Sequence, residues 1–417
     1  MLLAPWLIGA AVAFTEVAPP ACELDGAPPG APELYLITAS PGAQPFTFVG
    51  HASVWLRDPQ RGLDHVWEFG VIDSRKQEPL SSLLLGTLVC TWHVPHVRRE
   101  IRDYRRLGRT AVAHRLHLPA ESEERVIAEL LAIRADPDRP YRFDWRRNSC
   151  ATRVRDILDE ALSGALQRAW STPAALTPRE EVLRHVAPVG WAWLGLQLLG
   201  GADTDRPQSQ WEAGFIPLRL AQNLAETPLG RGGSPLAAEP CTLHAGEHPW
   251  PAPAPPQRGL WMALIGLTAG GGMAGLAGWG RRRRAPRVLG GLVYALLGAL
   301  LGLIGLVELA LWSLSTLPDF GPKQSSLLIS PFSAVLVPLG LAWAVGRRPG
   351  WGRVATRALV ALAGLSLLGC LLPLSDAEPI GLVLLLGPVL VASVRWAASP
   401  TPAHAPTAGG EGRAGGR

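Results

Sequence analysis

The sequence predicts an α+β domain followed by an all-α membrane domain of five helices, and three observations carry that prediction. β-rich runs crowd the first part of the chain, with helical periodicity grouped after them. Five apolar stretches fill the last part. The segments joining those stretches alternate between arginine-rich and acidic.

The strand-like runs are 34–38 (LYLIT), 52–56 (ASVWL), 66–69 (VWEF), 87–94 and 110–118. Each shows alternation or β-branched and aromatic enrichment, and in the last Val112, Leu116 and Leu118 share a parity with His114. A helix is predicted over 122–135. Glu123 and Glu124 lie in its first turn, Val126, Ile127, Leu130 and Leu131 make one apolar face, and Asp136-Pro137 stops it. A second helix is predicted over 150–163, with Val154, Ile157, Leu158, Ala161 and Leu162 on one side.

The ends of the chain carry their own signals. Residues 2–14 form a short apolar run, too short for a comfortable span and without a basic start, which reads as a secretory signal or anchor over 1–21. The soluble domain is expected over 30–230 and a Pro-rich linker over 231–258, where PWPAPAPP is stiff and extended. The membrane domain is expected over 259–398 and a cytoplasmic tail, read as disordered, over 399–417.

The five spans are predicted at 259–280, 288–314, 327–345, 354–374 and 379–394, since a helix needs roughly 20 apolar residues to cross the hydrocarbon. Arg281–Arg284 with Arg287, then Arg347, Arg348 and Arg353, then Arg395, Arg413 and Arg417 fall on one side. Lys323, Asp319, Asp376 and Glu378 fall on the other. Basic loops stay cytoplasmic, so the soluble domain is expected outside the cytoplasmic (inner) membrane, in a multi-pass topology. The arginine run therefore reads as a topology signal.

Composition excludes some functions. Charged residues are 18% against 48% apolar, and the net charge of +5 comes with many Arg and hardly any Lys, as a GC-rich coding sequence gives. No nucleic-acid partner is inferred. Five cysteines, Cys22, Cys90, Cys150, Cys241 and Cys370, make no metal spacing, so neither a metal site nor a cofactor is expected. Cys22 sits in a poor lipobox, Cys90 reads as a core residue of a strand, and Cys22 and Cys241 flank the soluble domain and can pair in an oxidising compartment. Spacing alone does not decide that pairing.

Two segments carry candidate chemistry: FVGHASVWLRD around His51, and YRFDWRRNSCATRVRD around Cys150. Cys150 opens a helix, where backbone N–H groups and the helix dipole favour a thiolate. It precedes Val154, Ile157 and Leu158 by helical spacing and so faces inward. A strand histidine can take its proton and return it to a leaving group. Spacing alone favours the plainer reading, in which Cys150 is a small core residue and His51 a satisfied core histidine. Arg153 and Arg155 follow at the helix start, either as anion ligands or as solvated side chains. Glu308, inside the second span near its outer end, is either a substrate group or a snorkelling carboxylate. Trp261, Trp312, Trp343, Trp351 and Trp396, near span ends, read as interface anchors.

These segments resemble the N-terminal extracytoplasmic domain of the Lnb-type lipoprotein intramolecular acyltransferases. The likeness rests on the Gly50-His51 strand, Glu68-Phe69-Gly70 leading to Asp73, and the Cys-x-Thr-Arg-x-Arg-Asp start at Cys150. It continues through Trp193-Leu194-Gly195-Leu196, Asp205-Arg206-Pro207 and Phe215-Ile216-Pro217 to a five-helix membrane domain, covering about 34–394. The resemblance implies a permuted papain-like (NlpC-type) fold with His before Cys in the chain, and a thioester acyl-enzyme. It makes Cys150 the nucleophile and His51 the base; a third, orienting group is usual in such sites, and Glu68 is the candidate taken for it. Arg153, read from the helix start, and Glu308, read from its place inside a span, are the substrate-side candidates beside it. Membrane lipids and diacylated lipoproteins are the partners it implies. Relatives often carry Asn directly before the Cys, where this chain has Ser149 with Asn148 one place earlier, a departure that puts any role for Asn148 in doubt. Two other functions fit the same residues: an NlpC-type amidase acting on cell-wall peptides, and a non-catalytic membrane receptor or scaffold.

Overall fold

The computed structural model describes residues 19–24, 30–136, 140–256, 258–371 and 380–398. The expected signal or anchor (except at its last residues), the tail over 399–417, Pro137, Asp376 and Glu378 lie outside the described residues. The chain divides into two compact units. The first takes in Leu88–Pro173, Ser209–Pro251 and the described residues up to Gln77; the second takes in Glu78–Thr87, Ala174–Gln208 and the described residues from Ala252 onward.

The first unit is α+β around one antiparallel sheet. Its strands are β1 (Glu33–Ala39), β2 (His51–Asp58), β3 (Leu63–Val71), β4 (Val89–His93), β5 (Ala111–Arg115), β6 (Tyr141–Arg142) and β7 (Cys241–His244), in the order β6-β4-β3-β2-β1-β5-β7. All five expected strand runs are present with adjusted ends, while the short edge strands β6 and β7 are additional. Alternation dictates two faces. Leu34, Leu36, Ala52, Val54, Leu56, Trp67 and Phe69 face helices α2 (Ala120–Ala135), α3 (Cys150–Ala161) and α4 (Pro217–Glu226). Ile37, Ala39, Trp55 and Val66 face α1 (Val97–Arg106), a helix the sequence reading did not place.

Both central tryptophans satisfy their indole N–H while burying the ring. Trp67 Nε1 donates to Leu130 O at 2.7 Å, and Trp55 Nε1 to Asp64 Oδ1 at 2.7 Å. Truncating either to alanine should cost about 3–5 kcal/mol. The segment 231–258, expected as a linker, instead supplies β7 to the sheet edge, and Cys241 on it is disulfide-bonded to Cys22. Residues beside Cys22 run along β7, with Cys22 N donating to Thr242 O at 3.0 Å.

The second unit contains five helices long and apolar enough to cross a membrane, which makes the chain a multi-pass membrane protein. They are α5 (Gly259–Trp279), α6 (Arg284–Leu314), a broken third span ending in α7 (Leu336–Ala344), α8 (Gly352–Leu371) and α9 (Gly381–Ala398). The third span, expected as one run, consists of 3₁₀ turns at Gln324–Leu327 and Pro331–Val335 before α7. Pro331 cannot donate a helical N–H, which accounts for the restart there. Glycine permits the closest crossing: a Cβ on Gly291 would lie 2.5 Å from Gly340 O.

Two of the expected interface anchors are corrected. Trp343 and Trp396 are fully buried, stacked at 5.8 Å between ring centroids, with Tyr294 edge-on to both. Trp396 Nε1 donates to Met273 O at 2.9 Å, so the interior meets its polar need and no water interface is required. Trp261, Trp312 and Trp351 are exposed. Segments 78–87 and 174–208, expected within the soluble domain, belong instead to the second unit. There Arg179, fully buried, holds Asp205 through Nε at 2.6 Å and Nη2 at 2.9 Å, and its guanidinium also donates to Leu196 O and Gly200 O.

Candidate active site

The approach to Cys150 is built by short-range polar chemistry. Asp144 Oδ1 accepts the Arg146 and Arg147 N–H groups, which turns the chain just after β6. Asn148 N donates to Asp144 O and its side chain to Arg142 O at 2.8 Å, so Asn148 serves the turn. Ser149 and Thr152 then cap α3 reciprocally, and Cys150 is its first residue. The buried stripe of Ala151, Val154, Leu158 and Ala161 fixes α3 on the sheet.

The sheet brings the partner side chains. Gly50 has φ +94°, and a Cβ there would sit 2.8 Å from Ala39 O, so the Gly in the Gly-His pair lets β2 begin beside β1. His51 opens β2 opposite Ala39. Glu68 lies on β3 opposite Ser53 and, across its other edge, opposite His93. Side chains alternate, so His51, Ser53, Glu68 and His93 share one face. Glu68 Oε1 is 3.8 Å from His51 Nε2, and Glu68 Oε2 is 3.7 Å from His93 Nδ1. A bulge at Gly70, φ +85°, follows Glu68, and a Cβ on Gly70 would meet the Cys150 Cβ at 4.0 Å.

The electrostatics favour an ion pair. Burial opposes charge on His51, yet the Cys150 sulfur, by charge and hydrogen bond, and the Glu68 carboxylate raise its imidazole to about 9. Burial likewise opposes a Cys150 thiolate. The His51 charge and hydrogen bond, with the Ala52 and Ala151 backbone N–H groups, outweigh it and bring the thiol below its ordinary value. Cys90, by contrast, is buried without a cation and beside the Cys150 sulfur, which pushes it up to about 12. Of the two, Cys150 is the one whose surroundings favour the thiolate.

A second carboxylate completes the site, and the sequence reading missed it. Glu100 on α1 is 3% exposed. Burial first, then the charge of Glu68 and a hydrogen bond to it, hold its carboxyl well above the ordinary range. Glu68 moves the other way: burial is outweighed by His93, His51 and Glu100. Val97, Glu100, Ile101 and Tyr104 form the buried stripe of α1, and an acid inside such a stripe was the signal available.

Other expected site residues fall as follows. Arg153 lies one turn after Cys150 with its guanidinium 4.9 Å over the Tyr141 ring and its Nε buried without a hydrogen bond. Arg155 is structural: it holds Asp156 and Trp211 O and lies 3.8 Å over the Trp211 ring. Asp73 is engaged with Arg75 and Lys76. Glu308 belongs to the second unit, where it accepts from Ser326 at 3.0 Å and lies 3.7 Å from the Lys323 ammonium. Lys323 is 1% exposed there and also donates to Gln197 O and Leu198 O. Both line a cavity of about 160 Å³ with Leu309, Trp312 and Phe320. Among the described residues no three His, Cys, Asp or Glu side chains form a metal-ligand group.

Taken together, these features define a membrane protein with an α+β domain that holds a paired cysteine and histidine. Comparison with protein-family models, curated proteins and solved structures returns no match to the chain.

Proposed function

We propose that this protein is a membrane-bound thiol acyltransferase or acylhydrolase working through a Cys150 thioester. The observation that carries the reading is the thiolate-favouring pairing of Cys150 at the start of α3 with His51 at the start of β2, backed by Glu68. A histidine strand that precedes the cysteine helix in the chain accords with a permuted papain-like arrangement. Its sulfur attacks an acyl ester carbonyl, the tetrahedral adduct collapses to a thioester, and His51 protonates the departing alkoxide. His51 then takes a proton from the attacking amine or water as the thioester breaks and the sulfur leaves as thiolate.

Membrane spans in the same chain support a lipid-linked substrate such as a diacylated lipoprotein, because such an ester is presented at a bilayer. The Cys22–Cys241 disulfide and the arginine-rich loops support an extracytoplasmic position for the first unit at the cytoplasmic membrane. Incubating the purified protein with radiolabelled lipoprotein and mapping hydroxylamine-releasable label tests the reading, with label expected on Cys150. Absence of acyl label together with cleavage of a cell-wall peptide amide would replace it with the amidase reading.

A further inference from the structure

Glu100 poses a physical problem that the proposed chemistry does not yet use. It is a nearly inaccessible carboxyl on the buried stripe of α1, and no ion-pair partner of Glu100 is found among the described residues. A buried carboxylate without a cation is costly, and the group escapes that cost by keeping its proton. The groups that face it point the same way. Glu68 on β3 presents a like charge. Tyr104, on its own helix, is a neutral phenol. Arg109 lies beyond, with its guanidinium given to Ser40 O at 2.7 Å and Ala39 O at 3.4 Å. His51 on β2, His93 on β4 and Cys150 on α3 complete the surroundings on the far side of Glu68.

Two carboxyls so placed hold one proton between them. Glu68 is the one with imidazoles on both sides, 3.8 Å and 3.7 Å away, so its charge is better compensated than that of Glu100, on which the His51 charge acts without an ion pair. The proton therefore stays on Glu100. We propose that Glu100 is a positioning residue: as a neutral carboxylic acid it donates a hydrogen bond to Glu68 and holds that carboxylate toward His51.

The inference rests on the acyl-thioester reading only for its purpose, since its observables need no acyl substrate. Two variants of the full-length protein separate donation from packing. Glu100→Gln keeps a donor and removes the titrating proton; Glu100→Leu keeps the volume and removes the donor. Infrared difference spectra at neutral pH should show a carboxylic-acid C=O band in the parent that disappears in Glu100→Gln. Alkylation of Cys150 by iodoacetamide at pH 6 should stay within about twofold in Glu100→Gln. It should fall about tenfold in Glu100→Leu, the worth of one hydrogen bond to a charged group, because an unaimed Glu68 no longer sustains the imidazolium beside the thiolate. A band that persists in Glu100→Gln places the proton elsewhere and overturns the proposal. Equal alkylation rates in the two variants reduce Glu100 to packing and overturn it as well. If Glu100→Leu does not fold, the infrared band of Glu100→Gln decides alone.

Discussion

Glu68 reaches His51 diagonally across the β2–β3 pair, with Oε1 3.8 Å from Nε2. That distance is too long for a firm hydrogen bond, so Glu68 acts chiefly as a charge that stabilises an imidazolium. Glu68→Gln keeps shape and removes the charge. We expect it to lower the rate of thioester formation about tenfold and to lower the His51 pKa, read from the ring proton shifts by NMR. An unchanged His51 titration would remove Glu68 from the catalytic set.

The pH dependence of the thiol follows from the directions of the two shifts. The Cys150 pKa lies below its ordinary value, so thiolate persists at pH values where an ordinary cysteine is protonated. His51 stays charged until the pH approaches about 9, above its ordinary 6.5. Iodoacetamide at pH 7 should therefore label Cys150 and leave Cys90 unmodified in the folded protein. His51→Ala removes the opposing cation, so the Cys150 thiol should rise toward the value of a buried cysteine and its alkylation rate at pH 7 should fall clearly below that of the parent. Labelling of Cys90 ahead of Cys150 would reverse the assignment.

The Lys323–Glu308 pair should behave as a structural clamp. Lys323 satisfies the last carbonyls of the Gly190–Leu199 helix while facing Glu308, so its removal strands an acid and two acceptors together. Lys323→Met should destabilise the protein by about 3–5 kcal/mol, as breaking a buried pair does. Glu308→Gln, which still accepts from Ser326, should cost less. Thermal unfolding in detergent orders the two. A Glu308→Gln variant with normal stability and lost acyl transfer would restore Glu308 to a substrate site.

Reduction should loosen the first unit. The Cys22–Cys241 bond closes a loop with a sequence separation of 219 and fastens the chain beside β7 at the sheet edge. Cys22→Ala should cost about 2–5 kcal/mol. Near-UV circular dichroism during urea unfolding measures it, and a loss below the resolution of that method would mean the bond is not formed in the protein.

How much of this was legible in the sequence depended on the size of each signal. Strands β1 to β5 alternate over enough residues to be read, and Cys150 announces its helix through Val154, Ile157 and Leu158. β6 is two residues long and, among the described residues, pairs only with β4, so alternation has nothing to act on. α1 was hidden because Arg98, Arg99, Arg102, Arg105 and Arg106 mask its apolar stripe. Trp343 and Trp396 looked like anchors because a sequence cannot tell a tryptophan facing lipid from one facing Tyr294. Glu100 was masked for a related reason: its place in the stripe of Val97, Ile101 and Tyr104 was the one signal, and an acid on an arginine-rich helix reads as solvated until the sheet beneath it is known.

The proposed role of Cys150 as nucleophile is open to the most direct test. Cys150→Ala should abolish thioester formation and leave the first unit folded, because one half-buried sulfur at a helix start contributes little packing. Cys150→Ser should form at most a slow oxygen ester, which resists hydroxylamine under conditions that cleave a thioester. His51→Ala should lower the acylation rate about 10²- to 10⁴-fold through loss of the acid–base group. Cys90→Ala controls for loss of any thiol: Cys90 is buried, its thiol is pushed up to about 12, and its removal should leave the rate near that of the parent. Label from an acyl donor is followed through all four variants before and after hydroxylamine. If Cys150→Ala still carries releasable label, another cysteine is acylated, and the pairing of His51 with Cys150 is a packing arrangement with no part in catalysis.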